Sequence, residues 1–198
     1  MVYISLTTSN LTILIFHLIK KNIYKIMNSK TIAYAISAHS ESNHMYDNIY
    51  PYSVHLALVA YYAQKYIYHI PLEYRSSVIE ACWLHDTIED TRKSYNDILK
   101  ISNVMVADIV YAVTNEKGKN RKERANEKYY KGIIATPYAR YVKICDRLAN
   151  VQYSCDTNSR MKDVYKKENP QFVKSITKDI DVDIYSDMFD ELHQLINS

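Results

Sequence analysis

Glycine and proline are scarce in this chain of 198 residues, which has two glycines and four prolines. The phosphate-binding loops of the Rossmann and Walker types each need several glycines, so the composition excludes both. With so few helix breakers, we expect long helices and few turns that depend on glycine.

Cysteine is also rare, and Cys82, Cys145 and Cys155 are odd in number and lack CxxC spacing. This pattern predicts a protein of the reducing cytoplasm without a disulfide framework. A large excess of one charge is absent too, because the formal net charge is only +3. Nucleic-acid-binding domains are usually far more basic, so we expect no nucleic-acid partner.

A long hydrophobic run is missing from the N-terminal segment, residues 1–27. Its apolar stretch ends before Lys20, well short of the roughly 20 residues that a membrane-spanning helix needs. Because Met27 precedes a natural helix start, we interpret the segment as an extension or the product of an upstream start. A peripheral membrane anchor is the alternative. Residues 28–198 are predicted to form one domain.

Apolar residues recur at helical spacing over the rest of the chain, and no stretch alternates as a strand does. The predicted helices span residues 31–38, 53–68, 94–101, 104–113 and 119–134, with others beginning at Pro71 and Pro137 and two closing the chain. The fold class is therefore all-α, a single helical bundle.

The densest group of polar side chains is His85-Asp86-Thr87-Ile88-Glu89-Asp90, at the end of an apolar helical run. Because positions four apart share a helix face, we expect Glu89 one turn beyond His85 and Asp90 one turn beyond Asp86. Burying such a group costs several kcal/mol per ion unless a cation compensates it. The pattern predicts a metal site.

Two further residues complete a ligand set for one divalent ion. His55 precedes the His85-Asp86 pair and Asp146 follows it, each within a helical pattern. Two histidine nitrogens and two carboxylates suit Mn²⁺, Fe²⁺, Zn²⁺ or Co²⁺ and suit Ca²⁺ poorly. Such an ion leaves places for water and a phosphate oxygen, which favours phosphate hydrolysis.

With Glu89 and Asp90 included, the site has more carboxylates than one metal ion needs as ligands. We expect these two to position or deprotonate the water and to protonate a leaving oxygen. Lys143 lies three residues before Asp146 and Asn150 four residues after it, so all three share a helix face. A lysine and an amide there would clamp an anion and contact a base or ribose. A surface lysine is the alternative for Lys143.

A basic segment, residues 116–131, contains seven basic and three acidic side chains. It is predicted either to cap the site and hold a polyphosphate through Arg121, Lys122 and Arg124, or to form an ordinary solvated helix face.

Three other histidines, His39, His44 and His69, are interpreted as loop or core residues rather than functional ones. His39 and His44 are nevertheless close enough in sequence to His55 to reach a ligand.

The order His55, then His85-Asp86, then Asp146 resembles that of the HD-domain metal-dependent phosphohydrolases. Within them, the strings HDTIED and KICDRLANV are similar to the hydrolase domain of RelA/SpoT-type enzymes and their small stand-alone homologues. The resemblance covers roughly residues 31–172, most of the chain.

The resemblance implies a single HD-domain bundle that uses Mn²⁺ and removes the 3′-pyrophosphate from guanosine tetra- and pentaphosphate. It implies that the metal is bound by His55, His85, Asp86 and Asp146. It also implies that Glu89 and Asp90 are catalytic. It further implies that Lys143, Asn150 and Tyr165 help to hold the nucleotide. The approach to the first ligand, Pro51-Tyr52-x-x-His55, is part of the similarity.

The chain departs from the family in the loop Ser42–Asp47, which has no arginine or lysine where the family typically carries one near the guanine and phosphates. Two alternatives therefore stay open. One is an HD-type nucleotidase or phosphodiesterase with another nucleotide substrate, and the other is a non-catalytic nucleotide-binding HD module. The intact Glu89-Asp90 pair favours an enzyme. The sequence gives no indication of an oligomeric state.

Overall fold

The computed structural model of the chain describes residues 29–197. The predicted N-terminal extension, residues 1–27, lies outside the described residues. Between residues 29 and 197, no helix is long and apolar enough to cross a membrane.

Helices dominate the described residues, which confirms the predicted all-α class. The α-helices are α1 (Ser29–Glu41), α2 (Ser53–Lys65), α3 (Arg75–Leu84), α4 (Thr87–Asp90), α5 (Tyr95–Ile101), α6 (Val104–Val113), α7 (Arg121–Arg124), α8 (Glu127–Ala135), α9 (Ala139–Asp156), α10 (Met161–Ile176) and α11 (Ser186–Asn197). Short 3-10 helices span Ile67–His69, Leu72–Tyr74 and Val182–Tyr185. The sequence pattern predicted no strand, but β1 (Met45–Tyr46) and β2 (Tyr50–Pro51) form a small antiparallel hairpin between α1 and α2.

Helix α9 is the centre of the bundle, and it contacts α2, α3, α6, α10 and α11. Its buried positions include large apolar side chains such as Tyr141, Ile144 and Leu148. Asp146 is buried on the same helix. A carboxylate at the centre of the core must be compensated by partners, since an unpaired buried charge is costly.

The turns explain how a chain with so little glycine changes direction. Backbone φ angles are positive at asparagine and aspartate residues of the connections, and the described glycines adopt none. These positions are Asn43, Asp47, Asn48, Asn158 and Asp179. Asparagine and aspartate tolerate the left-handed region better than other side chains because they bond locally to the backbone.

The predicted helix over residues 119–134 is wrong, because the segment forms two helices, α7 and α8, with a break at Ala125 and Asn126. The side chain of Asn126 accepts a hydrogen bond from the backbone N–H of Tyr129 at 3.0 Å and so caps α8. A local cap therefore outcompetes the continuous helix that the charge pattern suggested.

We expect Asn126→Ala to lower the free energy of unfolding by about 1 kcal/mol, because the first turn of α8 loses its cap. Chemical denaturation measures the change. Asn126→Ser is the matched control, since serine also caps helices and should retain most of the stability. Equal losses in both variants would contradict a capping role.

Candidate metal centre

Four polar side chains from three helical regions meet in the core. His55 lies on α2, His85 and Asp86 lie in the connection from α3 to α4, and Asp146 lies on α9. One ligand atom of each residue lies within 4.8 Å of the others, as a single ion requires. The structure thus brings together the predicted ligands, although α3 ends at Leu84 and His85 follows it rather than lying within one continuous helix.

The distances inside this cluster are short. The Nε2 atoms of His55 and His85 lie 3.2 Å apart. The Oδ2 atom of Asp86 lies 2.8 Å from Nε2 of His85 and 3.3 Å from Nε2 of His55. The Oδ1 atom of Asp146 lies 3.3 Å from Nε2 of His55 and 3.6 Å from Nε2 of His85. Two nitrogens and two oxygens therefore point at one small volume.

The electrostatics of the cluster are those of tightly paired opposite charges. Burial alone would lower the pKa of His85, but the neighbouring Asp86 and Asp146 carboxylates outweigh it and raise the pKa well above its usual value. Burial would raise the pKa of Asp146, but Lys143 and the two histidines hold it well below its usual value. Both aspartates are thus ionised, as metal ligands must be.

The histidine rings fit a divalent metal. Nδ1 of His85 lies 2.9 Å from the backbone carbonyl oxygen of Cys82, so this nitrogen donates its proton there, and Nε2 is the nitrogen that would bind an ion after losing its own proton. Nδ1 of His55 is buried with no hydrogen-bond partner among residues 29–197, and Nε2 faces the cluster. A set of two imidazole nitrogens and two carboxylate oxygens suits Mn²⁺, Fe²⁺, Co²⁺ or Zn²⁺.

Further side chains surround the carboxylates of Asp86 and Asp146. The Tyr52 hydroxyl donates to Oδ2 of Asp86 at 2.5 Å. Lys143 Nζ donates to Oδ2 of Asp146 at 2.8 Å, and Asn150 Nδ2 donates to Oδ1 of Asp146 at 2.6 Å. Lys143 and Asn150 are therefore both hydrogen-bonded to Asp146, a candidate metal ligand. The sequence predicted only that the three residues share a helix face.

The two predicted catalytic carboxylates have different surroundings. Both Glu89 oxygens accept hydrogen bonds from Asn115, from its backbone N–H at 2.9 Å and from its side-chain amide at 2.8 Å. Asp90 lies with its Oδ2 atom 3.7 Å from Nδ1 of His44. Burial, with the Asp86 and Glu89 charges, raises the pKa of Asp90 to about 7. A carboxyl group in that range can give or take a proton at neutral pH.

His39 and His44 lie much closer to the site than a loop or core interpretation suggests. Their Nδ1 atoms are 3.1 Å apart, and both rings stack on Tyr52, with centroid distances of 4.4 and 4.0 Å. His39 belongs to α1 rather than to a loop, and burial lowers its pKa to about 4. His69 is different, because its ring pairs with Asp187 of α11.

A cavity of about 860 Å³ is lined by Lys143, which also donates to Asp146, whereas the four clustered side chains do not line it. Its walls come from α7, α8, α9 and α10, and they carry many more cations than carboxylates. The basic residues are Arg121, Lys122, Lys131, Lys143, Arg147, Lys167, Lys174 and Lys178, and the acidic ones are Glu127 and Glu168. Lys122, Lys167, Lys174 and Lys178 have no carboxylate within 4.0 Å among residues 29–197.

We call this cavity the basic cavity. The other residues predicted to contact the substrate differ in whether they line it and in whether they are already paired. Lys122 is exposed on its wall, whereas Arg121 is committed to Glu168, with Nε 2.9 Å from Oε1 and Nη2 3.0 Å from Oε2. Tyr165 is buried under guanidinium groups, including that of Arg121 at 5.4 Å from its ring centroid. Arg124 is half-buried and does not line the cavity.

Sequence reasoning missed two contributors to the site, Tyr46 and Asn115. Nothing in the local pattern identifies Tyr46, which lies on β1, or Asn115, which follows α6. Tyr52 could have been identified from the sequence, because it lies three residues before His55 in the Pro51-Tyr52-x-x-His55 motif. A helical bundle that buries two histidines and two aspartates in this order agrees with the predicted resemblance to HD-domain phosphohydrolases.

Comparison with known proteins identifies the relatives of this domain. No family model matches the chain. The chain is 28% identical over 123 residues to the guanosine-3′,5′-bis(diphosphate) 3′-pyrophosphohydrolase MESH1 of Danio rerio, a match that covers 62% of the chain and 66% of that protein. It is 31% identical over 75 residues to the MESH1 of Drosophila melanogaster, covering 38% of the chain and 42% of that protein. The matches thus span less than two thirds of these relatives.

The fold has a solved counterpart as well. A structure described as a metazoan ortholog of SpoT that hydrolyzes ppGpp superposes with a TM-score of 0.63 and 21% identity, covering 85% of the chain and 96% of that structure. The predicted resemblance is confirmed: the chain is similar to HD-type, RelA/SpoT-like alarmone hydrolases in sequence and shares the fold of a SpoT ortholog.

Proposed function

We propose that the protein is a Mn²⁺-dependent pyrophosphohydrolase that releases pyrophosphate from the 3′ position of guanosine 3′,5′-bis(diphosphate) and its pentaphosphate. The observation that carries the proposal is the junction between the buried His₂Asp₂ cluster and the basic cavity. Lys143 belongs to both, since it donates to Asp146 and lines the cavity. The relatives named for this activity support the choice of substrate.

Each part of the site has a chemical task in this reaction. A divalent ion held by His55, His85, Asp86 and Asp146 would lower the pKa of water and neutralise charge on the phosphate oxygens. Asn115 fixes Glu89 through both carboxylate oxygens, so Glu89 is oriented to accept the proton of the attacking water. Asp90, with its pKa raised to about 7, is suited to protonate the leaving oxygen.

The basic cavity matches a substrate with several phosphates. Its cationic side chains attract a polyanion, and the four lysines without carboxylate partners are free to contact phosphate oxygens. Among its aromatic lining residues, Tyr130 is half-buried and offers a surface for a nucleoside, whereas Tyr129 and Phe172 belong to the buried core. We therefore propose that this cavity binds the sugar and those phosphates that are remote from the cleaved bond.

Another nucleotide substrate is the second candidate, and the loop Ser42–Asp47 favours it. The loop carries no arginine or lysine, and His44 and Tyr52 form the aromatic surface beside it. A surface without arginine or lysine would select less strongly for a guanosine polyphosphate than a basic one.

Release of pyrophosphate from guanosine tetraphosphate tests the proposal directly. Purified protein is assayed with Mn²⁺ and with chelator, beside a panel of ordinary nucleoside phosphates and phosphodiesters. Metal-dependent pyrophosphate release, restricted to 3′-pyrophosphorylated nucleotides, is the expected result. Turnover of another nucleotide alone would support the second candidate, and metal-bound protein inactive on every substrate would support a nucleotide-binding module.

Removing two free lysines of the basic cavity should weaken substrate binding with little effect on chemistry. We expect Lys167→Ala combined with Lys174→Ala to raise KM about three- to tenfold at low salt, with kcat nearly unchanged. The effect should shrink as salt is added, because exposed charges are screened. Lys166→Ala is the control on the same helix, since Lys166 is exposed but does not line the cavity.

We further propose a cytoplasmic location. The three cysteines are free thiols, and Cys82 and Cys145 are buried in the core. Reduced thiols are typical of the cytoplasm. Targeting of the tagged full-length chain, followed by microscopy and fractionation, tests this point.

A further inference from the structure

Two tyrosines of the hairpin region are linked by hydrogen bonds to the carboxylates of Asp86 and Asp146, one directly and one through Asn150. Tyr52 follows β2 and donates its hydroxyl proton to Oδ2 of Asp86 at 2.5 Å. This oxygen is the one that faces both histidine Nε2 atoms. Because an ionised carboxylate oxygen has two lone pairs, it can accept from Tyr52 and still bind a cation.

The second tyrosine acts on the other carboxylate through one intermediate. Tyr46 of β1 donates its hydroxyl proton to Oδ1 of Asn150 at 3.2 Å. The amide nitrogen of Asn150 in turn donates to Oδ1 of Asp146 at 2.6 Å, the oxygen that faces the histidines. The amide of Asn150 is therefore fixed in one orientation, with its nitrogen toward Asp146.

We propose that Tyr52 and Tyr46 are positioning residues that hold Asp86 and Asp146 in the geometry that binds the metal. The inference rests on the proposed metal-dependent function. Asp86 and Asp146 come from different helical regions, and the segment of residues 46–52 reaches both, Asp86 directly and Asp146 through Asn150. Tyr52 adds a donor from outside the connection that carries Asp86. Tyr46 fixes the Asn150 amide that, with Lys143, holds Asp146.

The surroundings of the two rings show that they are held in place. The Tyr52 ring stacks against His39 and His44, and it meets the Tyr46 ring edge-on at a centroid distance of 5.9 Å. The Tyr46 ring also packs against His55 at 4.9 Å. Packing on several sides fixes a hydroxyl group, and a fixed donor loses less entropy when it orients a ligand.

Tyrosine-to-phenylalanine variants test the proposal, because they remove one oxygen and keep the ring stack. Mn²⁺ affinity of the metal-free protein is measured by calorimetry, together with the Tm of the same metal-free samples. We expect Tyr52→Phe to weaken Mn²⁺ binding about 10- to 100-fold. Tyr46→Phe acts through Asn150 and should weaken it about two- to tenfold.

Tyr50→Phe is the control within the same hairpin, since Tyr50 is exposed and its described contact is with the ring of Tyr153. It should leave Mn²⁺ affinity unchanged. Wild-type affinity in Tyr52→Phe, with or without a lower Tm, would overturn the positioning role and leave the proposed function standing. Failure of the wild-type protein to bind a divalent metal would instead overturn the proposed function, and the positioning role with it.

Discussion

Asp146→Asn should lose Mn²⁺ binding and hydrolysis together. The substitution keeps the shape of the side chain but removes the charge that binds the ion, so affinity should fall by more than about 100-fold, the upper end of what outer-shell changes cost. The buried ammonium group of Lys143 also loses its carboxylate partner. Breaking a buried ion pair destabilises a protein by about 3–5 kcal/mol, so a lower Tm is expected as well.

Calorimetry with Mn²⁺ and an assay of turnover on the same samples measure both losses, at a temperature where circular dichroism shows a folded variant. Asp190→Asn is the control, because it makes the same chemical change at a position of α11 outside the ligand set. Full metal occupancy in Asp146→Asn would remove Asp146 from the ligand set.

Glu89→Gln should keep the metal and lose turnover. Glutamine has nearly the same shape and can still accept the backbone N–H of Asn115, but it cannot take a proton. The loss of a general base typically costs 100- to 10,000-fold, and we expect kcat to fall within about that range. Mn²⁺ affinity should stay within about twofold, since the Glu89 carboxylate is hydrogen-bonded to Asn115 and is outside the ligand set.

Steady-state kinetics give kcat and metal titration gives the Mn²⁺ affinity, and both are measured on the same preparation. Glu73→Gln is the matched control, because Glu73 is exposed on the 3-10 helix Leu72–Tyr74. If Glu89→Gln retained most of its kcat, the base would have to be sought elsewhere, and Asp90 would be the first residue to test.

The cluster of four candidate metal ligands could be predicted because the chemistry of these residues is visible in the sequence. Two histidines and two aspartates within apolar helical patterns are costly to bury without a cation, so the pattern alone indicates a bound ion. The assignment did not depend on exact helix ends. The helix predicted to carry His85 in fact ends at Leu84, yet His85 and Asp86 keep helical backbone angles and both reach the cluster.

Contacts between elements could not be predicted in the same way. Tyr46 is one of twenty tyrosines, and only the path of the hairpin places it beside Asn150. Asn115 reaches Glu89 because α6 ends beside α4, which no local pattern encodes. The break before α8 was also not predicted, although its cause lies in the local sequence. The charge pattern of the segment obscured the cap at Asn126.

The arrangement of the ligands links metal supply to the stability of the whole chain. The first ligand, His55, and the last, Asp146, are distant in sequence, so an ion at the cluster closes a long loop of the polypeptide. Bringing the ends of so long a loop together costs conformational entropy, which ion binding in the folded state would help to offset. An ion that binds only the native state also adds stability in proportion to the logarithm of its free concentration. Scarcity of the metal would therefore lower the amount of folded enzyme as well as its turnover.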